Sequence, residues 1–188
     1  MKVFLFLFLL LLAPATLSAQ ARSNDSIRDK INDLGASKHI VVEYNAGSNV
    51  TTIRAVAENF AEAETKAAGA RAMNFAVGMM YVGKELKNAA EPFKMAFWVN
   101  ASKPAFAQGL PIQISAGETH YEIRDARHIR RDRDNMEYLN FQLTREQLKT
   151  IALYENVRVH VGPHAFTFTK SQLKLMADLF LATELNPE

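Results

Sequence analysis

Apolar and polar positions alternate through the middle of the chain. Between residues 73 and 81, and again between 93 and 99, every second residue is a large apolar one. A period of two is typical of strands that bury one face. Both segments are therefore predicted to be strands of a half-buried sheet. Trp98 falls on the face opposite the apolar set, and we expect it to be either partly exposed or packed beneath a helix.

Shorter apolar segments flank turn residues at three places, as they do in β-hairpins. Each pair is separated by a few Gly, Asn, Ser or Pro residues, which favour the backbone angles of turns. The pairs are residues 39–44 with 50–56, 110–114 with 119–123, and 157–161 with 166–168. With a further strand predicted at 136–143, the chain has about nine short strands separated by turns.

The end of the chain contains one pattern twice. Phe141–Ala152 returns 25 positions later as Phe166–Ala177, and each copy passes from an alternating strand through a threonine into helix-favouring residues. Thr144 and Thr169 are predicted to be N-caps, because a threonine oxygen accepts backbone N–H groups that an opening helix leaves unpaired. Two helices near the C-terminus are therefore expected.

Three segments have weaker patterns. Ile27, Ile31 and Leu34 have helical spacing, which predicts a short helix or extension over residues 22–36 that lies against the outside of the core or frays. Residues 58–71 are rich in alanine without an apolar stripe, so helix and loop both stay open. Strand alternation stops from Arg124 to Asn135, and we expect a polar loop between two strands there.

Many strands followed by late helices predict an α+β fold. We expect mainly an antiparallel β-sandwich or open barrel with short helices, two of them near the C-terminus. A parallel α/β fold fits less well, because helices do not alternate with strands in the first two-thirds of the chain. Residues 22–188 are expected to form a single β-rich domain.

The first residues have the pattern of a secretory signal peptide. Lys2 precedes the apolar run Val3–Leu12, and small residues then lead to the Ala-Gln-Ala sequence that ends at Ala21. A positive start, an apolar centre and an A-x-A site predict a signal peptide over residues 1–21, cleaved after Ala21 or alternatively after Ala19. A membrane anchor fits less well, since a spanning helix needs about 20 apolar residues. We expect export to the periplasm or the extracellular space, with no transmembrane segment after cleavage.

Composition narrows the classes of partner. The chain has no cysteine, so an exported form must be held by its core without disulfides. Residues 1–21 carry one of the 22 basic side chains and none of the 20 acidic ones, so the remaining chain is close to neutral. Binding to nucleic acid usually requires a clear basic excess, and we therefore expect no nucleic-acid partner.

Basic side chains concentrate in the predicted polar loop. Guanidinium groups bind phosphate, sulfate and carboxylate groups by paired contacts, so the cluster is a candidate patch for an anion or an acidic partner. Asp125, Asp132 and Asp134 are interleaved and would neutralise much of the field, so an internally paired, solvated loop is the alternative. The candidate patch residues are Arg124, Arg127, Arg130 and Arg131.

No catalytic, metal or cofactor site is predicted. His160 and His164 flank a turn, and His120 on a neighbouring strand completes a hypothetical zinc or copper site, but no ligand motif of fixed spacing supports it. The chain has no glycine-rich nucleotide motif, so we expect no cofactor. Five glutamates are candidate catalytic acids, although strand-borne acids ordinarily face water. They are Glu43, Glu58, Glu118, Glu122 and Glu137.

Two parts of the chain resemble uncharacterised exported bacterial β-rich proteins. They are the hairpin from Val41–Tyr44 to Thr51–Arg54 and the ending Leu148–Leu179 around Val157–Gly162. The resemblance covers most of the chain after the signal, implies an envelope or secreted location, and carries no activity with it. We therefore expect a non-enzymatic exported module that binds or scaffolds a protein, glycan or small-molecule ligand. The alternative is a hydrolase or metal-dependent enzyme whose site is assembled from scattered His and Glu residues.

Overall fold

The computed structural model describes residues 21–88, 92–106 and 111–185, apart from the side chains of residues 56–58. The strands are β1 (Arg22–Ser23), β2 (Ile40–Asn45), β3 (Val50–Asn59), β4 (Ala72–Val82), β5 (Glu85–Leu86), β6 (Phe93–Asn100), β7 (Ile112–Ala116), β8 (Thr119–Ile123), β9 (Arg127–Arg131), β10 (Met136–Leu143), β11 (Val157–Val161) and β12 (His164–Thr167). The helices are α1 (Asn24–Asp33), α2 (Glu62–Ala67), α3 (Arg145–Leu153) and α4 (Lys170–Ala182), and a 3-10 turn covers Asp132–Asp134. Residues 1–20 of the predicted signal peptide, the side chain of Glu58, and Leu110 lie outside the described part.

The strands form antiparallel sheets in a sandwich-like arrangement. The larger sheet has six strands in the order β2-β3-β4-β6-β10-β9, and the smaller has four in the order β12-β11-β7-β8. β1 and β5 form a separate two-stranded pair. The described residues form no closed barrel. The predicted α+β class with antiparallel sheets and short helices is confirmed, in its sandwich form.

One face of the six-stranded sheet, called the inner face below, carries the core. Phe75 of β4 and Phe97 of β6 are opposite each other in register, and each is 0% exposed. The ring of Phe60 lies 5.8 and 5.7 Å from these two rings and 5.5 Å from that of Phe166 in the four-stranded sheet. Burying one such side chain contributes about 1.5–3 kcal/mol. The aromatic cluster therefore joins the two sheets.

The repeated motif folds as predicted, and each threonine belongs to a capping box. Thr144 Oγ1 accepts the backbone N–H of Gln147 at 3.1 Å, and Gln147 Oε1 accepts the backbone N–H of Thr144 at 2.8 Å. Thr169 and Gln172 make the same two bonds, at 3.2 and 2.8 Å. The reciprocal bonds satisfy N–H groups at the start of each helix. Both helices consequently begin at fixed points directly after their strands.

Helix α1 is fixed to the core rather than frayed. Its N-cap is Ser23, whose hydroxyl accepts the backbone N–H of Ser26 at 3.2 Å, and its residues Ile27 and Ile31 are buried. The Asn24 side chain is also buried and donates to Thr51 Oγ1 of β3 at 3.0 Å. A polar bond inside the core accompanies the apolar contacts, so the helix has a defined position on the sheet.

Two segments with weak sequence patterns have regular secondary structure. Residues 58–71 contain the end of β3 and the short helix α2. The expectation of an irregular loop from Arg124 to Asn135 is wrong, because β9 lies within it and pairs along β10. β9 is an edge strand and is largely polar, so it has no apolar alternation that would reveal it. Asn135, with a φ of 54°, lies in the left-handed region before β10, a conformation that asparagine tolerates well.

Candidate functional site

The outer face of the six-stranded sheet, opposite the core, has small residues at its centre. Ala76 and Gly78 of β4 and Ala96 of β6 occupy the outward positions that alternate with buried core residues. Larger side chains surround them on the neighbouring strands. The missing side-chain volume leaves a depression in the middle of the sheet.

Gly78 allows the sheet to bend at this point. A Cβ added there would lie 2.3 Å from the carbonyl oxygen of Ile53 and 3.0 Å from Cα of Arg54, both on β3. Only a residue without a side chain permits so close an approach of two backbones. β3 also has a register irregularity between Ala55 and Glu58, a feature that bends strands. Strand β3 therefore closes in on the outer side of β4, and the outer face is concave.

The concave face contains a groove of about 590 Å³. Its lining comes from five adjacent strands, β3, β4, β6, β10 and β9, together with Asp125 just before β9. The groove therefore crosses the strands instead of following one of them. Ligand pockets commonly have volumes of this order.

Three cations stand along the groove. Arg54 lies on β3, Lys94 on β6 and Arg127 on β9, which places one cation on every second strand of the sheet. Arg54 forms an exposed ion pair with Glu43 at 3.3 Å, and Lys94 Nζ lies 3.6 Å from Met80 Sδ. Arg127 has no ion pair within the described part of the chain, and Asp125 is the one acidic residue of the described lining. The groove consequently has an excess of positive charge.

Amide and aromatic side chains complete the surface. Asn140 and Gln142 of β10 line the groove between Lys94 and Arg127. Trp98 lies two residues beyond Ala96 on the same face and is opposite Tyr138 in register. Both aromatic residues are half-buried, so Trp98 is partly exposed, one of the two positions expected for it. The groove thus combines cations, hydrogen-bonding amides and an aromatic margin.

The four arginines of the predicted patch do not share one surface. Arg124 pairs with Glu122 at 2.9 Å, and Arg131 pairs with Asp134 at 2.7 Å and lies over the ring of Tyr138. Arg130 is on the inner face of β9. Arg127 alone of the four lines the groove, where the topology adds Arg54 and Lys94 from distant parts of the sequence.

Glu137 of β10 is an acidic residue that lies buried on the inner face. It is 0% exposed, and its oxygens accept the backbone N–H groups of Ala105 at 2.8 Å and Phe106 at 3.0 Å. His128 Nε2 lies 2.6 Å from Oε1, and Arg130 Nη1 lies 3.6 Å from Oε2. A carboxylate with several donors around it is well compensated for its burial. Glu137 therefore anchors the loop that follows β6 to strands β9 and β10.

The expectation that strand-borne glutamates face water is wrong for Glu137. Leu139, Phe141 and Leu143 share its face of β10, and all three are buried. The alternation of apolar residues along β10 therefore indicated that Glu137 points toward the core. Its partner His128 lies in the segment that has no apolar pattern. Of the other described candidates, Glu43 and Glu122 form exposed ion pairs, and Glu118 is exposed in the β7–β8 turn.

The three histidines of the hypothetical metal site are not brought together. His160 is opposite Ala165, whereas His164 is opposite the buried Val161, so the two imidazoles point to different faces of the four-stranded sheet. His120 Nδ1 lies 3.0 Å from Ser115 Oγ, and His164 packs near Phe106. Among the residues the structure describes, no group of three or more His, Asp or Glu side chains is arranged to hold a metal ion.

The fold and the groove define an antiparallel α+β protein with an open, cationic groove across one sheet. Comparison of the chain with protein-family models, with curated proteins and with solved structures found no match. Within the described ranges, the helices are too short or too polar to cross a membrane.

Proposed function

We propose that the protein is an exported, non-enzymatic binding module of the bacterial envelope or extracellular space, and that it holds its ligand in the groove. The observation that carries the proposal is the transverse groove itself, with Arg54, Lys94 and Arg127 on alternate strands. A concave surface with convergent polar groups is the usual form of a ligand site. The excess of cations favours an anionic ligand.

The chemistry of the lining supports binding in preference to catalysis. The described lining offers guanidinium, ammonium and amide groups, which hold ligands by charge and hydrogen bonds. Proton transfer by side chains usually requires a positioned histidine or a pair of carboxyl groups. The close His128–Glu137 pair lies on the inner face, where Glu137 already accepts two backbone N–H groups. That pair has the arrangement of a structural anchor.

Export is supported by the N-terminal sequence pattern. The full-length chain, produced in a bacterium with a C-terminal tag, is expected to appear outside the cytoplasm with Arg22 as its first residue, or Gln20 for cleavage after Ala19. Mass spectrometry of the intact purified protein measures this directly. Recovery of only the uncleaved chain from the cytoplasm would contradict export.

Binding is tested with Trp98, the single tryptophan of the chain, as an intrinsic reporter. The mature protein is titrated with poly-L-glutamate and with polygalacturonate, an acidic glycan, while poly-L-lysine serves as the opposite-charge control. We expect the anionic polymers to change Trp98 emission and added salt to weaken the effect, because exposed charge pairs are screened. No change with either anionic polymer would contradict the proposed function.

A pair of matched variants locates the binding. Arg54→Gln, Lys94→Gln and Arg127→Gln together remove the groove cations, and binding should weaken by about tenfold if each of the three pairs contributes about 0.5 kcal/mol. Arg133→Gln, Arg158→Gln and Lys87→Gln remove the same charges from exposed positions outside the groove lining. Equal weakening in both triple variants would show that general charge, and not the groove, holds the polymer.

A further inference from the structure

We propose that the groove accepts an acidic peptide segment in the polyproline II conformation, with a carboxylate at every third residue. This inference rests on the proposed function and names the ligand class.

The spacing follows from the sheet. Neighbouring strands lie about 4.7–4.9 Å apart, so residues on alternate strands are about 9.5 Å apart. Arg54 and Lys94 are both in register with Gly78 and share one row across the sheet. Lys94 is in register with Gln142 of β10, whereas Arg127 is in register with Asn140, two residues away on the same strand. Arg127 is therefore two strands across and two residues displaced from Lys94, which places the two Cα atoms roughly 12 Å apart. The Cα spacing of the three cations is therefore about 10–12 Å, and their long side chains adjust the spacing of the charges.

Polyproline II comes close to this repeat with the fewest residues between successive side chains on one face. Polyproline II has three residues per turn and rises about 3.1 Å per residue, so every third side chain returns to the same face after about 9 Å. In an extended strand the same face returns after about 6.7 Å. In an α-helix, neighbours on one face are about 5–6 Å apart, and a spacing of about 10.5 Å is reached only at every seventh residue of a rod about 10–12 Å wide. A polyproline II segment with acidic residues three apart therefore places one carboxylate at each cation.

The groove floor suits the rest of such a peptide. Ala76, Gly78 and Ala96 form a shallow apolar surface against which proline rings can pack. Polyproline II has no internal hydrogen bonds, so its carbonyl groups remain free to accept bonds. The amide groups of Asn140 and Gln142 lie between the second and third cations and supply donors. Trp98, half-buried on the same face as Ala96, gives an aromatic border of the kind against which proline-rich ligands commonly dock.

Three probes of matched charge test the spacing. The first is a peptide of Glu-Pro-Pro repeats, the second a permuted peptide of identical composition with its glutamates in adjacent pairs, and the third polygalacturonate. Trp98 emission of the mature protein measures binding. The repeat peptide is expected to bind about tenfold more tightly than the permuted one, because the permuted peptide cannot place a carboxylate at all three cations.

A double-mutant cycle assigns the central contact. Lys94→Gln, and a repeat peptide with its central glutamate changed to glutamine, are combined. We expect the two changes together to weaken binding by less than the product of their separate effects, because each removes the same ion pair. Lys87→Gln is the matched control and should show no such coupling. Circular dichroism confirms that both variants are folded.

The outcomes separate the two proposals. Equal affinity for the repeat and the permuted peptide would overturn the polyproline II inference while leaving the groove as an anion-binding surface. Tighter binding of polygalacturonate than of either peptide would replace the peptide by an acidic glycan and overturn the inference in the same way. No response to any of the three probes would overturn the proposed function as well.

Discussion

His128 and Glu137 lie on neighbouring antiparallel strands, with Nε2 of the imidazole 2.6 Å from Oε1 of a carboxylate that is fully buried. The same carboxylate holds the backbone of Ala105 and Phe106. These two residues lie in the segment that connects β6 of the six-stranded sheet to β7 of the four-stranded sheet. One side chain thus joins an edge strand, its neighbour and the passage between the two sheets.

Replacing Glu137 by alanine should destabilise the protein strongly. The change leaves two backbone N–H groups and the His128 imidazole without their acceptor and removes the carboxylate that faces Arg130, and breaking a buried pair in this way typically costs about 3–5 kcal/mol. Urea unfolding measures the loss. Glu43→Ala, at an exposed ion pair, is the control and should cost at most about 1 kcal/mol. A similar loss in both variants would show that Glu137 is not an anchor.

Stability should fall at alkaline pH because of Tyr81. Burial raises the pKa of Tyr81 to about 12, from 10.0 for a free tyrosine. Since the folded value is the higher one, the contribution of Tyr81 is complete below pH 10 and is lost as the pH rises through 12. Thermal unfolding followed between these values should show a decline that Tyr81→Phe reduces.

The Tyr81→Phe variant also tests the attachment of α1. Tyr81 Oη donates to Asn24 Oδ1 at 2.5 Å, so the variant leaves a buried acceptor unpaired, at a cost of about 1–3 kcal/mol at neutral pH. Tyr44→Phe, at an exposed bond to Asn49, is the matched control and should keep the alkaline decline of the parent. A Tyr81→Phe variant with an unchanged decline would assign the alkaline loss to other groups.

The two capping threonines should contribute similar amounts. Thr144→Ala and Thr169→Ala each remove an oxygen that accepts a helix N–H, which typically costs about 1 kcal/mol. Thr→Ser at the same positions keeps the oxygen and should restore most of the stability, as measured by chemical unfolding. An alanine variant as stable as its serine counterpart would mean that the cap bond contributes nothing.

Gly78 should tolerate no side chain. Gly78→Ala places a Cβ within 2.3 Å of the Ile53 carbonyl oxygen, so the two strands must separate, and overpacking of this kind costs about 1–3 kcal/mol. Gly47→Ala, in the exposed β2–β3 turn, meets only the Asn45 side chain at 3.3 Å and should be nearly neutral. Thermal unfolding compares the two variants. If Gly78→Ala were also neutral, the bend of the sheet would not depend on the glycine.

Local patterns in the sequence predicted the parts of the fold that depend on local physics. Alternation located β4, β6 and β10, and the threonines at 144 and 169 marked both late helices, because burial of one face and capping are encoded within a few residues. The sequence pattern did not predict β9, because an edge strand needs no apolar face. Its inward residues His128 and Arg130 are polar and contact the Glu137 carboxylate.

The groove depends on which strands are neighbours, and local patterns do not contain that information. Lys94 and Arg127 come onto one surface because β10 pairs with β6 on one side and with β9 on the other. Gly78 and Ala96 appear in the sequence as ordinary small residues of strands. That they form the floor of the groove follows only from the close approach of β3 to β4 and from the pairing of β4 with β6.

The place of β10 between β6 and β9 has a consequence for the order of assembly. β7 and β8 are made before it and belong to the other sheet, so β10 must return across a long stretch of chain to reach β6. Contacts so distant in sequence form slowly. Arg54 and Lys94 lie on strands β3 and β6, on one side of the contact between β6 and β10. Arg127 lies on β9, on the other side of that contact. A newly made chain therefore acquires its three-cation surface only when β10 and β9 have docked on β6.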